Sequence, residues 1–207
     1  MLKSQLRPLS LAAAFAAVLA LAAPARADAV SDGTLLIRSM GDTVVAILAN
    51  KGLPKAQREE RFRQIYRANF DHAIIAASVM GPPWKSASPA ARQEYLAVFE
   101  TYIAKVYAAQ LSSYSGEKLE VTKGEADGPG ATIESRIVDP KSGRIVDIKW
   151  RLRPTDGKMK VRDVLIENIS MAQTQRREFA AVLQQRGGKP EGLIAAIREK
   201  IADLDKR

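Results

Sequence analysis

The chain has 207 residues, a formal net charge of +9 at pH 7, 46% hydrophobic residues, no cysteine and one histidine. Without thiols it forms neither disulfides nor thiolate metal sites, and the single imidazole, His72, excludes histidine-rich metal sites. The length suits one domain of ordinary size with its own core, and the positive balance favours anionic surfaces such as phospholipid headgroups or an acidic protein.

At the amino terminus Lys3 and Arg7 precede an apolar run over residues 9–21, and Ala25-Arg26-Ala27 forms a small-residue cleavage site. This is the pattern of a secretory leader, and the run is shorter than the ~20 residues a spanning helix needs. Cleavage after Ala27 is expected, leaving residues 28–207 as a single exported domain. Removing Lys3, Arg7 and Arg26 lowers the formal charge from +9 to +6. No cysteine follows that could be lipidated. Export, and the lack of a basic run with interleaved aromatics, argue against nucleic acid as a partner.

The spacing of Leu35, Met40, Val44 and Leu48 predicts a helix over residues 34–48, closed by Gly52-Leu53-Pro54. A second helix, residues 55–69, places Phe62, Ile65 and Tyr66 at helical spacing and Arg58, Glu59, Glu60, Arg61 and Arg63 on the other side. Residues 71–80 carry Ile74, Ile75 and Val79 up to Gly81-Pro82-Pro83, where two prolines stop a helix. Ser88-Pro89 starts the longest helix, with serine as N-cap and proline at the first helical position. Tyr95, Val98, Phe99, Tyr102, Ile103, Val106, Tyr107 and Leu111 form one broad apolar stripe along it, which ends before Gly116.

After Gly116 the period changes to two. Residues 118–123, 131–138, 144–153 and 158–166 are expected as four antiparallel strands, with turns at 127–130, 139–143 and 154–157. In the third, Val146, Ile148, Trp150 and Leu152 alternate with Asp147, Lys149, Arg151 and Arg153, an apolar face against a charged one. Ser170 is placed to cap a helix over 171–185, Gly187-Gly188 breaks it, and residues 191–205 form a last amphipathic helix. Helices, then a four-stranded curved antiparallel sheet, then C-terminal helices make an α+β fold with no repeat and no dividing linker.

The search for catalytic chemistry is negative. His72 sits on a helical segment as a surface or packing residue, and no nucleophile elbow, phosphate loop, zinc-protease motif or dinucleotide fingerprint is present. Asp147 and Asp163 could pair in space as a hydrolase would need, but alternation puts Asp147 on the charged face. The reading is of a non-enzyme without metal or cofactor. The inward-facing aliphatic and aromatic side chains can close over a solid core, or leave a cavity between sheet and helices for an apolar ligand; the same stripe serves both.

Several motifs resemble one family. Phe70-Asp71 with Gly81 to Trp84 is similar to its F-D…G-x-x-W element, and Ser88-Pro89, Arg92 and Phe99 to its S/T-P-x-x-R-x-x-F-x-x-x-F signature, with Tyr95 near the first aromatic position. Ile148-Lys149-Trp150-Arg151-Leu152 with Asp156-Gly157, then Asp163-Val164-Leu165-Ile166-Glu167-Asn168-Ile169-Ser170, resembles its hairpin and D-V-x-I-E-G-V-S element; Arg176 and Phe179 resemble the R-x-x-F that follows. On these residues, across roughly 60–205, the chain resembles the MlaC, or toluene-tolerance, family of periplasmic phospholipid-binding proteins. It departs at Met159, where the family usually has tryptophan, at Asn168, where it has glycine, and at Gln175, where an aromatic often stands.

The resemblance implies a monomeric periplasmic shuttle. Such a shuttle carries phospholipid between an outer-membrane lipoprotein complex and an inner-membrane ABC transporter with an MCE-type subunit, and so maintains outer-membrane lipid asymmetry. It implies acyl chains buried between sheet and helices, with Val98, Phe99, Tyr102, Val106, Ile133, Ile137, Val146, Ile148, Trp150, Val164 and Ile166 as candidate cavity wall. Arg176 is the candidate headgroup contact at the mouth. A different lipid such as a hopanoid, or a scaffold in an envelope complex with a solid core, are the alternatives.

Overall fold

The computed structural model describes residues 22–206, so most of the expected leader lies outside it. Helix α1 spans Ala22–Ala49, starting upstream of the expected residue 34. Tertiary contact explains the extension: Val30 packs on the sheet beside Ile37, Ala131 and Ile133, so the chain is held helical where local spacing gives no signal. Helix α2 is Lys55–Asn69 and α3 is His72–Met80. Gly81 stops α3 at φ 74°, a left-handed conformation that suits glycine. The two prolines then open one further helical turn, α4, Pro83–Ser86, since proline is tolerated at a helix start.

Helix α5, Pro89–Gln110, begins as its sequence predicts: the Ser88 hydroxyl accepts a 3.1 Å hydrogen bond from the Ala91 N–H. A short 3₁₀ turn, Leu111–Ser113, leads into the sheet. Its strands are β1 Lys118–Asp127, β2 Gly130–Val138, β3 Ile145–Thr155, β4 Lys158–Ile166 and β5 Ile169–Ser170, in the spatial order of the chain and antiparallel throughout.

The sheet therefore has five strands where four are expected. The fifth forms because Glu167 and Asn168 both take positive φ, 49° and 63°, and close a two-residue hairpin that pairs Ile166 with Ile169. Asparagine tolerates this conformation better than most residues, so Asn168 can stand at this turn. Asp156 and Gly157, at φ 50° and 73°, turn the β3–β4 hairpin the same way, which lets Pro154 and Thr155 remain in β3. The register shifts between Val121 and Lys123 and between Arg151 and Leu152; such bulges bend a sheet. On its outer face Arg136 pairs with Glu120 and Lys149 with Glu134.

Helices α6, Met171–Gln185, and α7, Pro190–Asp205, complete the fold. Ser170 caps α6 through the Gln173 N–H at 3.1 Å, and Asp163 reaches the same helix end, accepting from Ser170 Oγ at 2.7 Å and from the Ala172 N–H at 3.2 Å. Three apolar clusters hold these elements. One joins α3, α5, α6 and α7 around Tyr95, Phe99 and Phe179; a second seals α1 on the sheet; a third ties the end of α1 to α2 and α5 through Leu48, Phe62 and Ala108. A cavity remains between the three.

Candidate functional site

Helix α1 lies close on the sheet because glycines face it. A Cβ on Gly33 would stand 3.2 Å from Ile133, and one on Gly41 would stand 2.4 Å from Leu119 Cδ2. Helices α2 and α5 cross behind, held together by Glu100, which accepts from Arg67 Nε at 2.8 Å, and by Glu59, which accepts from Lys105 Nζ at 2.7 Å. Between this frame and the inner face of the bent sheet lies a cavity of about 450 Å³. That is within the ~300–1,000 Å³ of small-molecule pockets.

The walls are almost wholly hydrocarbon and aromatic. Met40, Val44 and Leu48 come from α1, Phe62, Ile65 and Tyr66 from α2, Phe99, Ile103 and Tyr107 from α5, and Leu119, Ile137, Ile148, Trp150, Val164 and Ile166 from the sheet. Most polar groups away from the mouth are neutral or engaged within the protein. Trp150 Nε1 donates to Ser135 Oγ at 2.8 Å. Burial pushes the Tyr66 phenol well above its ordinary pKa and raises that of Tyr107. Arg162 Nε donates to Asp71 Oδ2 at 3.1 Å, and Thr155 Oγ1 donates to the same oxygen at 2.8 Å. Exposed lining residues occur only at Gln110, Ser113 and Lys118, which marks that end as the mouth.

The structure brings Phe99, Ile137, Ile148, Trp150, Val164 and Ile166 to the cavity and leaves the other expected wall residues outside its lining. Val98 and Tyr102 pack instead into the α5–α6–α7 cluster, Tyr102 with its ring 6.0 Å from that of Phe179. Val106, half-buried, is also off the lining. Val98, Tyr102 and Val106 share one helical row; the row that lines the cavity, Phe99, Ile103 and Tyr107, is one residue further, about 100° around. Ile133 is fully buried where α1 meets the sheet, and Val146, paired with Ile137, is half-buried at the strand end.

Arg176 is not among the residues lining the cavity; its guanidinium packs on Gly81 at the end of α3, with Nε 3.4 Å from where a Cβ would stand. The acids Asp147 and Asp163 are apart in role, since Asp147 faces Arg136 across the strand pair while Asp163 caps α6. His72 opens α3 with its ring 6.4 Å from that of Tyr66. Among the described residues no cluster of three or more His, Cys, Asp or Glu could hold a metal ion, and no helix is long and apolar enough to cross a membrane.

Sequence reasoning missed the α1 and α2 walls as walls. Their apolar spacing was legible, but spacing does not distinguish a side chain that meets another from one that meets a void. The motif residues turn out to frame the cavity more than to line it. Arg92 donates to the Trp84 and Lys85 carbonyls at 3.0 and 2.9 Å and lies over the Trp84 ring, fixing the start of α5. Asp71 clasps the β3–β4 hairpin to α3.

Comparisons with known proteins agree with this architecture. The family model described as MlaC protein matches residues 38–199. An intermembrane phospholipid transport system binding protein, MlaC, of Haemophilus influenzae is 25% identical over 123 residues, covering 58% of this chain and 56% of that protein. The toluene tolerance protein ttg2D of Pseudomonas putida is 26% identical over 115 residues, covering 55% of this chain and 53% of that protein. The matched region thus spans about half the length of these curated relatives. A phospholipid-binding protein from Ralstonia solanacearum, solved in complex with a phospholipid, superposes with a TM-score of 0.70 at 21% identity, covering 84% of this chain and 99% of that one.

Proposed function

The chain belongs to the MlaC family, and from that premise we propose that it is a periplasmic phospholipid carrier. The observation that carries the reading is the 450 Å³ cavity with its hydrocarbon and aromatic walls, opening at a polar rim. A long acyl chain in water costs about 10 kcal/mol, at ~0.8 kcal/mol per methylene, so a lipid crossing an aqueous space needs an apolar sleeve. The cavity offers that sleeve, with the indole of Trp150 and the guanidinium of Arg162 turned into the protein's own hydrogen bonds. It binds and releases without catalysing a reaction.

In this reading the leader is cleaved after Ala27, and residues 28–207 act as a monomer in the periplasm. The carrier receives phospholipid at one membrane and yields it at the other, between an outer-membrane lipoprotein complex and an inner-membrane ABC transporter with an MCE-type subunit. The related proteins named for phospholipid transport and phospholipid binding support this route. Phe99, Ile137, Ile148, Trp150, Val164 and Ile166 contact the acyl chains, joined by the α1 and α2 walls.

The test is native mass spectrometry of protein purified from its envelope without detergent, followed by extraction of the bound molecule. Recovery of a phospholipid adduct is expected. Protein that emerges empty, and stays empty when incubated with phospholipid vesicles, overturns the proposal.

A further inference from the structure

Four charged residues border the cavity: Glu117, Lys118, Arg162 and Asp163. Two are consumed by the fold, Arg162 by Asp71 and Thr155, and Asp163 by Ser170 and the first turn of α6. Ser170 and Asp163 already take the Gln173 and Ala172 N–H groups at the start of that helix. The nearby Lys51 is committed to the Tyr114 carbonyl and ring.

Glu117 and Lys118 tie no separate elements together: Glu117 bonds to Ser115, two residues away. Neither pairs with an oppositely charged side chain among the described residues, and they stand consecutively where the chain enters β1, at the rim beside Gln110 and Ser113. Glu117 is half-buried and shares the inward side of the strand with Leu119. Its carboxylate is aimed by Ser115, which donates its N–H at 2.7 Å and its hydroxyl at 3.3 Å. Those bonds, the Ser115 N–H first, also hold the carboxyl below its usual pKa. Lys118 is exposed on a flexible four-carbon stem that can swing over the opening. The rim is locally neutral although the chain as a whole is strongly basic.

We infer that this rim selects a headgroup bearing both a phosphate and a primary ammonium, with Lys118 meeting the phosphate and Glu117 the ammonium. The assignment rests on the carrier reading and adds headgroup preference to it. A headgroup with phosphate alone satisfies Lys118 and brings a second negative charge toward Glu117. A quaternary ammonium has no N–H to give the carboxylate. Only the primary ammonium with phosphate satisfies both side chains by charge-assisted hydrogen bonds.

The experiment loads delipidated full chain from vesicles containing equal parts phosphatidylethanolamine, phosphatidylglycerol and phosphatidylcholine with matched acyl chains, and counts each bound lipid by mass spectrometry. Wild type should enrich phosphatidylethanolamine about fivefold over each of the others, the scale of two exposed charge contacts. Glu117→Gln, nearly isosteric, should lose the enrichment, and Glu117→Lys should turn it toward phosphatidylglycerol. Bound lipid that mirrors the vesicle ratio in wild type, or enrichment unchanged in both variants, overturns the headgroup assignment and leaves the carrier reading standing. Wild type that takes up no lipid overturns both.

Discussion

Trp150 Nε1 donates a 2.8 Å hydrogen bond to the hydroxyl of Ser135 on the neighbouring strand, and Ser135 is itself 2% exposed. A polar residue thus stands inside the apolar face of β2 because the indole that walls the cavity carries one N–H that must be satisfied. Ser135→Ala should cost about 1–3 kcal/mol in denaturant unfolding, the cost of a stranded buried donor, and should shift Trp150 emission. Unchanged stability would show that the indole finds another acceptor.

Ile148 is buried between the sheet and the cavity and lies opposite Ser135 and Ile166. Ile148→Asp places a carboxylate among hydrocarbon walls. The variant should lose co-purifying lipid while keeping its far-UV circular dichroism. Ile103→Asp, across the cavity on α5, tests the same wall if the first variant folds poorly. Full lipid occupancy in a folded variant of either kind would refute the wall assignment.

Gly41 costs helix α1 about 1 kcal/mol relative to alanine, yet its Cβ-less face receives the Leu119 side chain. Gly41→Ala should therefore destabilise despite the gain in helix propensity, by about 1–2 kcal/mol, as an overpacked contact does. Combining it with Leu119→Ala should cost less than the two single changes added together, and a double-mutant cycle measures that coupling. Strict additivity would mean that the two side chains do not compete for one space.

Lys105 joins α5 to α2 through Glu59 and to α7 through Asp205. Burial alone would lower its pKa, but hydrogen bonds to Asp205 and Glu59 outweigh this and raise it above the ordinary lysine value. Hydrogen bonding to Lys105 holds Asp205 below the usual carboxylate value. A raised lysine stabilises fully below its unfolded pKa and loses that contribution as pH climbs through the folded one. A depressed carboxylate stabilises above its unfolded pKa and loses it as pH falls through the folded one. Lys105→Met should therefore lower Tm by a constant amount between about pH 5 and 9, with the gap to wild type narrowing beyond both limits. A gap independent of pH would point to lost packing of the lysine stem instead.

The helix and strand elements were legible in the chain because their signals are local. Ser88-Pro89, Ser170 and Gly187-Gly188 punctuate helices through their own hydroxyls, rings and positive φ, and Val146 to Leu152 announce one apolar strand face by alternation. The fifth strand escaped, since two residues have no period to read and only the left-handed Glu167-Asn168 turn makes them pair.

The candidate site was half legible for a related reason. Strand residues have two faces, so Ile137, Ile148, Trp150, Val164 and Ile166 could be assigned to the inner one, although Ile133 and Val146 on that same face miss the void. Helix α5 is apolar nearly all round, and nothing in its sequence says which row meets α6 and α7 and which meets the cavity; the answer lies 100° from the expected row. By itself the sequence determined the α+β order, the caps, the family and an inner apolar surface. Tertiary structure alone decided where that surface encloses empty space, because a void arises from how closely glycines let α1 approach the sheet and how far the α2–α5 ion pairs hold their helices behind it.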